Sequence, residues 1–291
     1  MKLGLYHPSD FINDNEFEYE LAQKFFVKKG FKIIKPNEDS IKHGLNVALA
    51  FEFNKMISRK PYLVLPTYCF ENTNSFLDLI DYKAIKQSKA IFCGNSYTTS
   101  ILSSIFNKTG NSTFYGPNFI RQFNQVAKNE IYADLIDSIT NKVSFKGNYD
   151  KDNILQNEWL FDGKGEITGY FYGGEIESII KIWNTEYIPK ISSKTIFYID
   201  GIINDRYKIL SFLNFFKQKQ IFSKCKAVIF AKSLVNDEEL KKMVDSLLIG
   251  SKKANVVYGV EGMFSEKMII WKLNAKTTIN FSKKTIYQQN Y

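Results

Sequence analysis

A serine lies in a tight turn that the sequence predicts between a strand and a helix. Residues 90–93 are apolar and predict a strand, Gly94 and Asn95 follow, and residues 98–106 predict a helix just after Ser96. This order is typical of a nucleophile elbow, in which the turn lifts a serine hydroxyl toward a helix N-terminus. The same residues also fit an ordinary turn with Ser96 as the N-cap, because the second glycine of the G-x-S-x-G pattern is absent. The turn alone favours the N-cap and leaves a nucleophile as the alternative.

A serine nucleophile needs a general base, usually a histidine, and the chain has only two histidines. His43 falls in a predicted helix beside Gly44, a setting typical of the surface. His7 ends the first predicted strand, and the carboxyl ends of parallel strands share one edge of a sheet, so we expect His7 on the same edge as Ser96. His7 is therefore the candidate base, with chance placement at that edge as the simpler explanation.

Metal and nucleotide cofactors are not indicated. Two histidines, and three cysteines (Cys69, Cys93 and Cys225) without a C-x-x-C pair, exclude a histidine-rich or cysteine-cluster metal site. The sequence contains neither G-x-x-x-x-G-K-[ST] nor G-x-G-x-x-G, which argues against a Rossmann domain. The odd number of cysteines argues against a disulfide scaffold and indicates a reducing compartment. We therefore expect no cofactor and a cytoplasmic protein.

The charge of the chain gives no nucleic-acid signal. Among 291 residues, 39 Lys and Arg outnumber 30 Asp and Glu, for a formal charge of +9. Only Arg59, Arg121 and Arg206 are arginines, the residue type that bidentate phosphate and base contacts favour, and the lysines are spread along predicted helices. The least charged stretch, 90–107, is interrupted by serine, threonine and asparagine, so it predicts no membrane span. We therefore expect neither a nucleic-acid partner nor a membrane partner.

The elements that would position these residues form two α/β parts. Four strand–helix units in the first 125 residues predict a mostly parallel sheet flanked by helices. Residues 141–168 are rich in Asn, Asp, Lys and Gly, which predicts a linker or surface loop. We thus expect an N-terminal α/β domain over 1–140 and a C-terminal α/β domain with a mixed sheet over 169–291. The predicted helices are 16–29, 41–58, 75–80, 98–106, 175–183, 206–219 and 237–248. The predicted strands are 2–6, 31–34, 62–65, 90–93, 195–199, 227–231, 255–258, 268–273 and 277–281.

Several short segments along nearly the whole chain share their order and spacing with the motifs of one peptidase family. These segments are His7-Pro8-Ser9, Leu79-Ile80-Asp81-Tyr82, 89–96, 113–118, 169–175, Glu186-Tyr187-Ile188-Pro189 and 195–200. On these segments the chain resembles the LD-carboxypeptidase family of serine peptidases, which includes the microcin C self-immunity peptidases. The resemblance implies a two-domain α/β fold and a catalytic triad of serine, glutamate and histidine.

The resemblance assigns triad positions to residues of this chain. It places Ser96 at the nucleophile and Asp200 at the glutamate, while the triad histidine falls in a Gly-His pair that here resembles Gly262-Met263. Aspartate is one methylene shorter than glutamate, and we expect that Asp200 could still orient a base if one were present. Methionine cannot accept a proton, so Met263 removes the general base.

The positions that the resemblance implies for binding depart from the family as well. Tyr97 replaces an acidic residue after the nucleophile, and Glu175 replaces an asparagine. A glycine-rich loop that helps to bind the oxyanion resembles Leu65-Pro66-Thr67-Tyr68 here, and Pro66 has no backbone N–H to donate. The implied binding positions are Pro66, Thr67, Tyr68, Tyr97, Gly116, Glu175 and Met263. We expect hydrolysis by the family mechanism to be absent or very weak.

The sequence is compatible with three functions. The first is a catalytically impaired homologue that binds a peptide-like or murein-type small ligand, or a partner protein, in the interdomain cleft. The second is an active serine carboxypeptidase or amidase in which Ser96 works with a relocated base such as His7 or a lysine. The third is a structural or interaction subunit. The resemblance implies no metal or organic cofactor, and it implies a homodimer.

Overall fold

The chain divides into two compact units whose segments alternate along the sequence. The computed structural model describes residues 1–8, 16–37, 46–68, 71–123, 136, 146–149, 159–251, 255–265 and 268–289. The first unit consists of Met1–Val143 and Glu177–Pro189, and the second consists of Ser144–Ile176 and Lys190–Tyr291. Part of the predicted linker, and His43, lie outside the described residues. The sequence-based domain boundaries stay a prediction.

Within the first unit, five strands pair in parallel in the order β5-β4-β3-β1-β2. They are β1 (Lys2–Tyr6), β2 (Lys32–Ile34), β3 (Leu63–Pro66), β4 (Ile91–Gly94) and β5 (Thr113–Tyr115). The central strands β1, β3 and β4 are short apolar runs whose residues are almost all buried, as expected for strands covered on both faces. Their parallel direction confirms the predicted sheet and brings the residues that follow Tyr6, Pro66 and Gly94 to one edge.

Helices follow most of these strands. They are α1 (Glu16–Lys28), α2 (Asn46–Ser58), α3 (Tyr82–Ser88), α4 (Thr99–Thr109) and α5 (Phe119–Phe123), with 3-10 turns at Leu77–Leu79 and Ser96–Thr98. The predicted helix over 75–80 is wrong, because that stretch forms only a 3-10 turn. The α-helix begins later, where the Asp81 carboxylate accepts a hydrogen bond from the Ala84 N–H and caps α3.

An aromatic cluster at the core of the first unit fixes the short helix α5. The ring centroid of Phe26 in α1 lies 5.5 Å from that of Phe119 and 4.8 Å from that of Phe123. All three side chains are buried, so they contribute apolar area as well as ring contacts. The cluster thereby positions the residue before α5, Asn118, at the carboxyl edge of the sheet.

Eight strands form a mixed sheet in the second unit, in the order β6-β14-β13-β8-β9-β10-β11-β7. These strands are β6 (Lys146–Tyr149), β7 (Leu160–Asp162), β8 (Glu166–Glu175), β9 (Thr195–Asp200), β10 (Ala227–Ala231), β11 (Asn255–Val260), β13 (Lys276–Asn280) and β14 (Thr285–Gln289). A ninth, two-residue strand, β12 (Trp271–Lys272), is not part of this sheet. Helix α6 (Ile176–Lys181) follows β8 and belongs, from Glu177 onward, to the first unit. The helices of the second unit are α7 (Arg206–Gln218), α8 (Ile221–Lys224) and α9 (Asp237–Leu247). Strands β8 to β11 run parallel and their outer neighbours run antiparallel, which confirms the predicted mixed sheet.

The centre of this sheet consists of strands without exposed residues. Every residue of β9 and β10 is buried, and β9 ends at Asp200. The neighbouring strand β8 approaches β9 so closely that a side chain on Gly173 would overlap the carbonyl oxygen of Tyr198. Only glycine allows this approach. In the part of the chain that the structure describes, no helix is long and apolar enough to cross a membrane.

Candidate active site

The turn at Ser96 has the backbone geometry of a nucleophile elbow. Strand β4 ends at Gly94, and Ser96 begins a 3-10 turn that leads directly into α4. Ser96 has φ of 55°, in the left-handed region that residues other than glycine rarely adopt. Backbone strain of this kind is what lifts the serine out of the sheet in a nucleophile elbow. The N-cap residue of α4 is Thr98 and that of the preceding 3-10 turn is Asn95, so the predicted N-cap role of Ser96 is wrong and the elbow geometry remains.

Two glycines, Gly94 and Gly116, lie at this turn. A Cβ on Gly94 would lie 2.7 Å from Oγ1 of Thr98 and 3.0 Å from Cγ of Pro66, so the elbow and the end of β3 are in contact only because residue 94 lacks a side chain. The N–H of Gly116 donates to the carbonyl of Gly94 at 2.8 Å. The candidate binding residues Pro66 and Gly116 therefore flank the elbow on both sides.

A buried pair of asparagines, Asn95 and Asn118, stabilises the turn through two mutual hydrogen bonds. The backbone N–H of Asn95 donates to Oδ1 of Asn118 at 2.9 Å, and Nδ2 of Asn118 donates back to Oδ1 of Asn95 at 3.0 Å. The N–H of Asn118 in turn donates to Oε1 of Gln122, in α5. Asn95 and Asn118 are both buried, where such bonds stabilise most. Sequence reasoning missed Asn118, although it ends the segment 113–118 that carried part of the resemblance.

The residue after the serine is held by three hydroxyl groups. The carbonyl oxygen of Tyr97 accepts hydrogen bonds from the hydroxyls of Thr73, of Ser100 at 3.3 Å and of Ser178 at 3.3 Å. The hydroxyl oxygens of Thr73 and Ser100 also lie 2.9 Å apart, so either hydroxyl can donate to the other in place of the carbonyl. The ammonium of Lys181 lies 5.6 Å from the centre of the Tyr97 ring. Sequence analysis did not identify Thr73 or Ser178, since neither stands in a recognisable motif.

His7 lies at the expected edge but does not reach Ser96. Its Nδ1 is 2.7 Å from the hydroxyl oxygen of Thr67, whose N–H donates to the carbonyl of Tyr6. Within the described residues of the first unit, the Ser96 hydroxyl makes no hydrogen bond to the imidazole. Burial lowers the pKa of His7 to about 4, which makes it a weak base at neutral pH.

The remaining candidate binding residues of this edge follow β3. Thr67 is fully buried, and its carbonyl accepts a hydrogen bond from the N–H of Ile120 in α5 at 3.0 Å. Tyr68 is half-buried. Thr67 therefore supports the edge and orients His7.

In the second unit, the candidate acid Asp200 is completely buried and surrounded by donors. Its Oδ2 accepts from the Tyr198 hydroxyl at 3.1 Å and from the N–H of Met263 at 2.9 Å, and its Oδ1 accepts from the N–H of Gly201 at 2.7 Å. Such donors favour the charged form of a carboxylate. Burial, followed by the charge of Asp200, raises the pKa of Tyr198 well above its ordinary value, so the hydroxyl keeps its proton and donates.

The structure brings residue 263 to the acid, as the resemblance implies for the triad histidine. A Cβ on Gly262 would lie 2.6 Å from Oδ2 of Asp200, so the loop after β11 packs its backbone directly on the carboxylate. The side chain that follows is a half-buried methionine. This position can hold the acid through its N–H but cannot exchange a proton.

Two more buried carboxylates lie at the carboxyl ends of strands in this unit. Glu175 ends β8 directly opposite Asp200 in the parallel register, and Oε2 of Glu261, just after β11, accepts from the indole N–H of Trp159 at 2.9 Å. Glu261 was missed because a lone glutamate after a strand carries no motif. Among the described residues, no group of three or more His, Cys, Asp or Glu side chains is arranged to hold a metal ion.

Two α/β units, one of which carries a serine in a strained strand-to-helix turn, have the architecture of a serine hydrolase. Residues 3–116 match the LD-carboxypeptidase N-terminal domain, and residues 168–279 match the LD-carboxypeptidase C-terminal domain. The chain therefore belongs to the LD-carboxypeptidase family, and the resemblance drawn from its sequence is confirmed.

Individual relatives agree with this assignment. MccF, the microcin C7 self-immunity protein of Escherichia coli, is 27% identical over 293 residues, which cover 90% of this chain and 85% of MccF. A carboxypeptidase homologue of Vibrio cholerae is 25% identical over 295 residues, which cover 92% of this chain and 88% of the homologue.

Solved structures share the fold. MccF in complex with glutamyl sulfamoyl guanosine has a TM-score of 0.85 at 24% identity, with 100% of this chain and 96% of that chain covered. The muramoyltetrapeptide carboxypeptidase of Oxalobacter formigenes has a TM-score of 0.80 at 15% identity, with 100% and 99% covered. At sequence identities this low, the structural similarity establishes the fold alone.

Proposed function

We propose that this member of the LD-carboxypeptidase family is catalytically impaired and binds a small peptide-like ligand. The observation that carries the proposal is the residue at position 263. Its N–H bonds the Asp200 carboxylate at 2.9 Å, yet its thioether cannot take a proton from a serine hydroxyl. Loss of a triad member usually lowers the rate by several orders of magnitude.

The first unit supports the same proposal. His7 bonds Thr67 rather than Ser96, and its lowered pKa of about 4 makes it a poor proton acceptor. Pro66, at the position of an oxyanion-loop glycine in the resemblance, has no N–H to offer. Serine activation and oxyanion stabilisation are thus both weakened.

The relatives suggest the chemical class of the ligand. MccF has been solved with glutamyl sulfamoyl guanosine and with aspartyl sulfamoyl adenosine, and another structural relative is a muramoyltetrapeptide carboxypeptidase. Aminoacyl sulfamates with an acidic residue and murein peptides share an amide or amide-like linkage and at least one free carboxylate. We propose a ligand of this class for the present chain.

A serine-directed fluorophosphonate probe tests the impairment. We expect the wild-type protein to label no faster than Ser96→Ala, and we expect calorimetry with aspartyl sulfamoyl adenosine to record binding without cleavage over hours. Labelling of the wild type that disappears in both Ser96→Ala and His7→Ala would contradict the proposal, and so would cleavage of the sulfamate.

One observation favours a second candidate function, an active serine carboxypeptidase or amidase with a relocated base. Ser96 keeps a φ of 55°, a strained conformation that an N-cap does not require. In this alternative a movement of His7 from Thr67 to Ser96 would supply the base. Probe labelling that depends on His7 is its specific signature, so the same experiment separates the two functions.

A further inference from the structure

A lysine lies over the residue that follows the elbow serine. The Nζ of Lys181 is 5.6 Å from the centre of the Tyr97 ring, and one turn earlier in α6 the hydroxyl of Ser178 donates to the Tyr97 carbonyl at 3.3 Å. These contacts lie within the first unit, to which residues 177–189 belong. The end of α6 is therefore fixed against Tyr97, the residue after Ser96, by two independent contacts.

The ammonium of Lys181 is positioned by the Tyr97 ring, which does not neutralise its charge. Lys181 is exposed, and it makes no ion pair with any carboxylate in the described residues of the first unit. A tyrosine ring attracts an ammonium through its quadrupole but carries no net charge. An acidic residue at position 97, as in the resembled family, could have paired with the ammonium, whereas Tyr97 leaves its donors available.

We propose that Lys181, seated on Tyr97, binds a carboxylate of the ligand next to Ser96 and thereby selects acidic ligands. This inference rests on the proposed function, that the site binds a peptide-like ligand. An ammonium offers three donors, and charge-assisted hydrogen bonds to a carboxylate are stronger than neutral ones. The carboxylate belongs either to the chain end of a peptide or to an acidic side chain, and both sources present the same group.

Two matched ligand pairs distinguish these sources. The first pair is aspartyl and asparaginyl sulfamoyl adenosine, which differ by one side-chain carboxylate. The second pair is a murein tetrapeptide with a free or an amidated carboxyl end. Isothermal calorimetry at low salt should give a preference of about fivefold for the acidic member of at least one pair, as expected for a partly exposed charge pair.

Substitutions at the contact test the role of the lysine. We expect Lys181→Gln to abolish the preference without weakening the neutral ligand, and Tyr97→Leu to reduce the preference because the ring no longer holds the ammonium. Tyr97→Phe, which keeps the ring, should retain the preference. The control is Lys86→Gln, which removes the same charge from an exposed site in α3 of the same unit and should leave the preference unchanged.

The outcomes separate this inference from the function on which it rests. An unchanged preference in Lys181→Gln, or binding of both members of each pair with equal affinity, overturns the role of Lys181 and leaves the proposed function standing. Failure of all four ligands to bind the wild type overturns the proposed function and the inference together. A preference that persists in 0.5 M salt also contradicts it, because the interaction of exposed charges is largely screened there.

Discussion

The elbow of the first unit and the carboxylate edge of the second unit differ in which parts of a catalytic site they contain. The elbow retains its backbone conformation, with Ser96 at φ of 55° and the Asn95–Asn118 pair beneath it. The carboxylate edge retains a carboxylate with three donors, but the side chain at position 263 is methionine. The first region combines the elbow geometry with a serine, and the second combines a hydrogen-bonded carboxylate with a side chain at position 263 that cannot accept a proton.

The two regions differ because the elbow is stabilised by buried side-chain hydrogen bonds, whereas the contact of residue 263 with Asp200 uses only a backbone N–H. The elbow depends on several buried hydrogen bonds that also stabilise the first sheet, so its loss would cost folding free energy. At the carboxylate edge, residue 263 holds Asp200 through its backbone N–H, which every residue except proline supplies. Its side chain is thus not needed for that contact. A base can be lost at such a position without loss of the fold.

Substitution of this one side chain should produce the largest effect. We expect Met263→His to raise the rate of fluorophosphonate labelling of Ser96 by about a hundredfold, because it restores a proton acceptor beside Asp200 and a missing triad member costs several orders of magnitude. The rate is measured by gel fluorescence against time, between pH 6 and pH 9.

Met263→Leu, which conserves volume and adds no base, is the matched control and should label as slowly as the wild type. The double variant Met263→His with Ser96→Ala should not label at all. A Met263→His protein that folds and labels no faster than Met263→Leu would mean that the elbow is not competent, and the contrast between the two regions would be wrong.

The elbow should respond to the loss of its asparagine pair. Asn118→Ala removes both hydrogen bonds to Asn95 in a buried setting, and we expect it to lower the free energy of unfolding by about 2 kcal/mol. Urea denaturation followed by circular dichroism measures the change. Asn118→Asp keeps the acceptor for the Asn95 N–H and should lose less. Equal stability of Asn118→Ala and the wild type would show that the elbow does not depend on the pair.

The sequence predicted the architecture well where local patterns agree with burial. The observed bounds of β1, β4 and β10 lie within one residue of the predicted ones. Strands that are buried on both faces appear in the sequence as continuous apolar runs, which mark their ends clearly. The strand β8 was not predicted, and its residues were assigned in part to a loop. Three of its ten residues are glycine, which weakens any strand pattern, and the need for Gly173 becomes visible only against Tyr198.

The candidate site was predicted in outline, but not in its hydrogen bonds. The position of Ser96 in a strand-to-helix turn and the pairing of residue 263 with Asp200 followed from the motifs and the resemblance. Asn118 and Thr73 act through long-range bonds across the chain, which no local spacing reveals. His7 was correctly expected at the edge of the sheet, but its partner Thr67 could be identified only in three dimensions.

The smallest effect concerns His7 and the pH dependence of stability. Burial lowers its pKa from 6.5 to about 4 in the folded chain, so the unfolded chain takes up a proton first as the pH falls. The contribution of neutral His7 is therefore complete above pH 6.5 and is lost progressively toward pH 4. Between pH 7.5 and pH 5.5 the linkage relation gives a loss of about 1.4 kcal/mol in the free energy of unfolding.

Comparison with His7→Asn isolates this loss from that of other groups. Asparagine can still hydrogen-bond Thr67 but does not titrate, so the variant should be less stable at pH 7.5 and should lose about 1.4 kcal/mol less than the wild type on going to pH 5.5. Urea denaturation at the two pH values provides the numbers. An identical pH dependence in both proteins would mean that the pKa of His7 is not lowered in the folded chain, and its pKa would then no longer argue against His7 as a base. That result would favour the alternative of an active enzyme. The two regions would then differ in where the general base lies, with His7 of the first unit in place of residue 263 of the second.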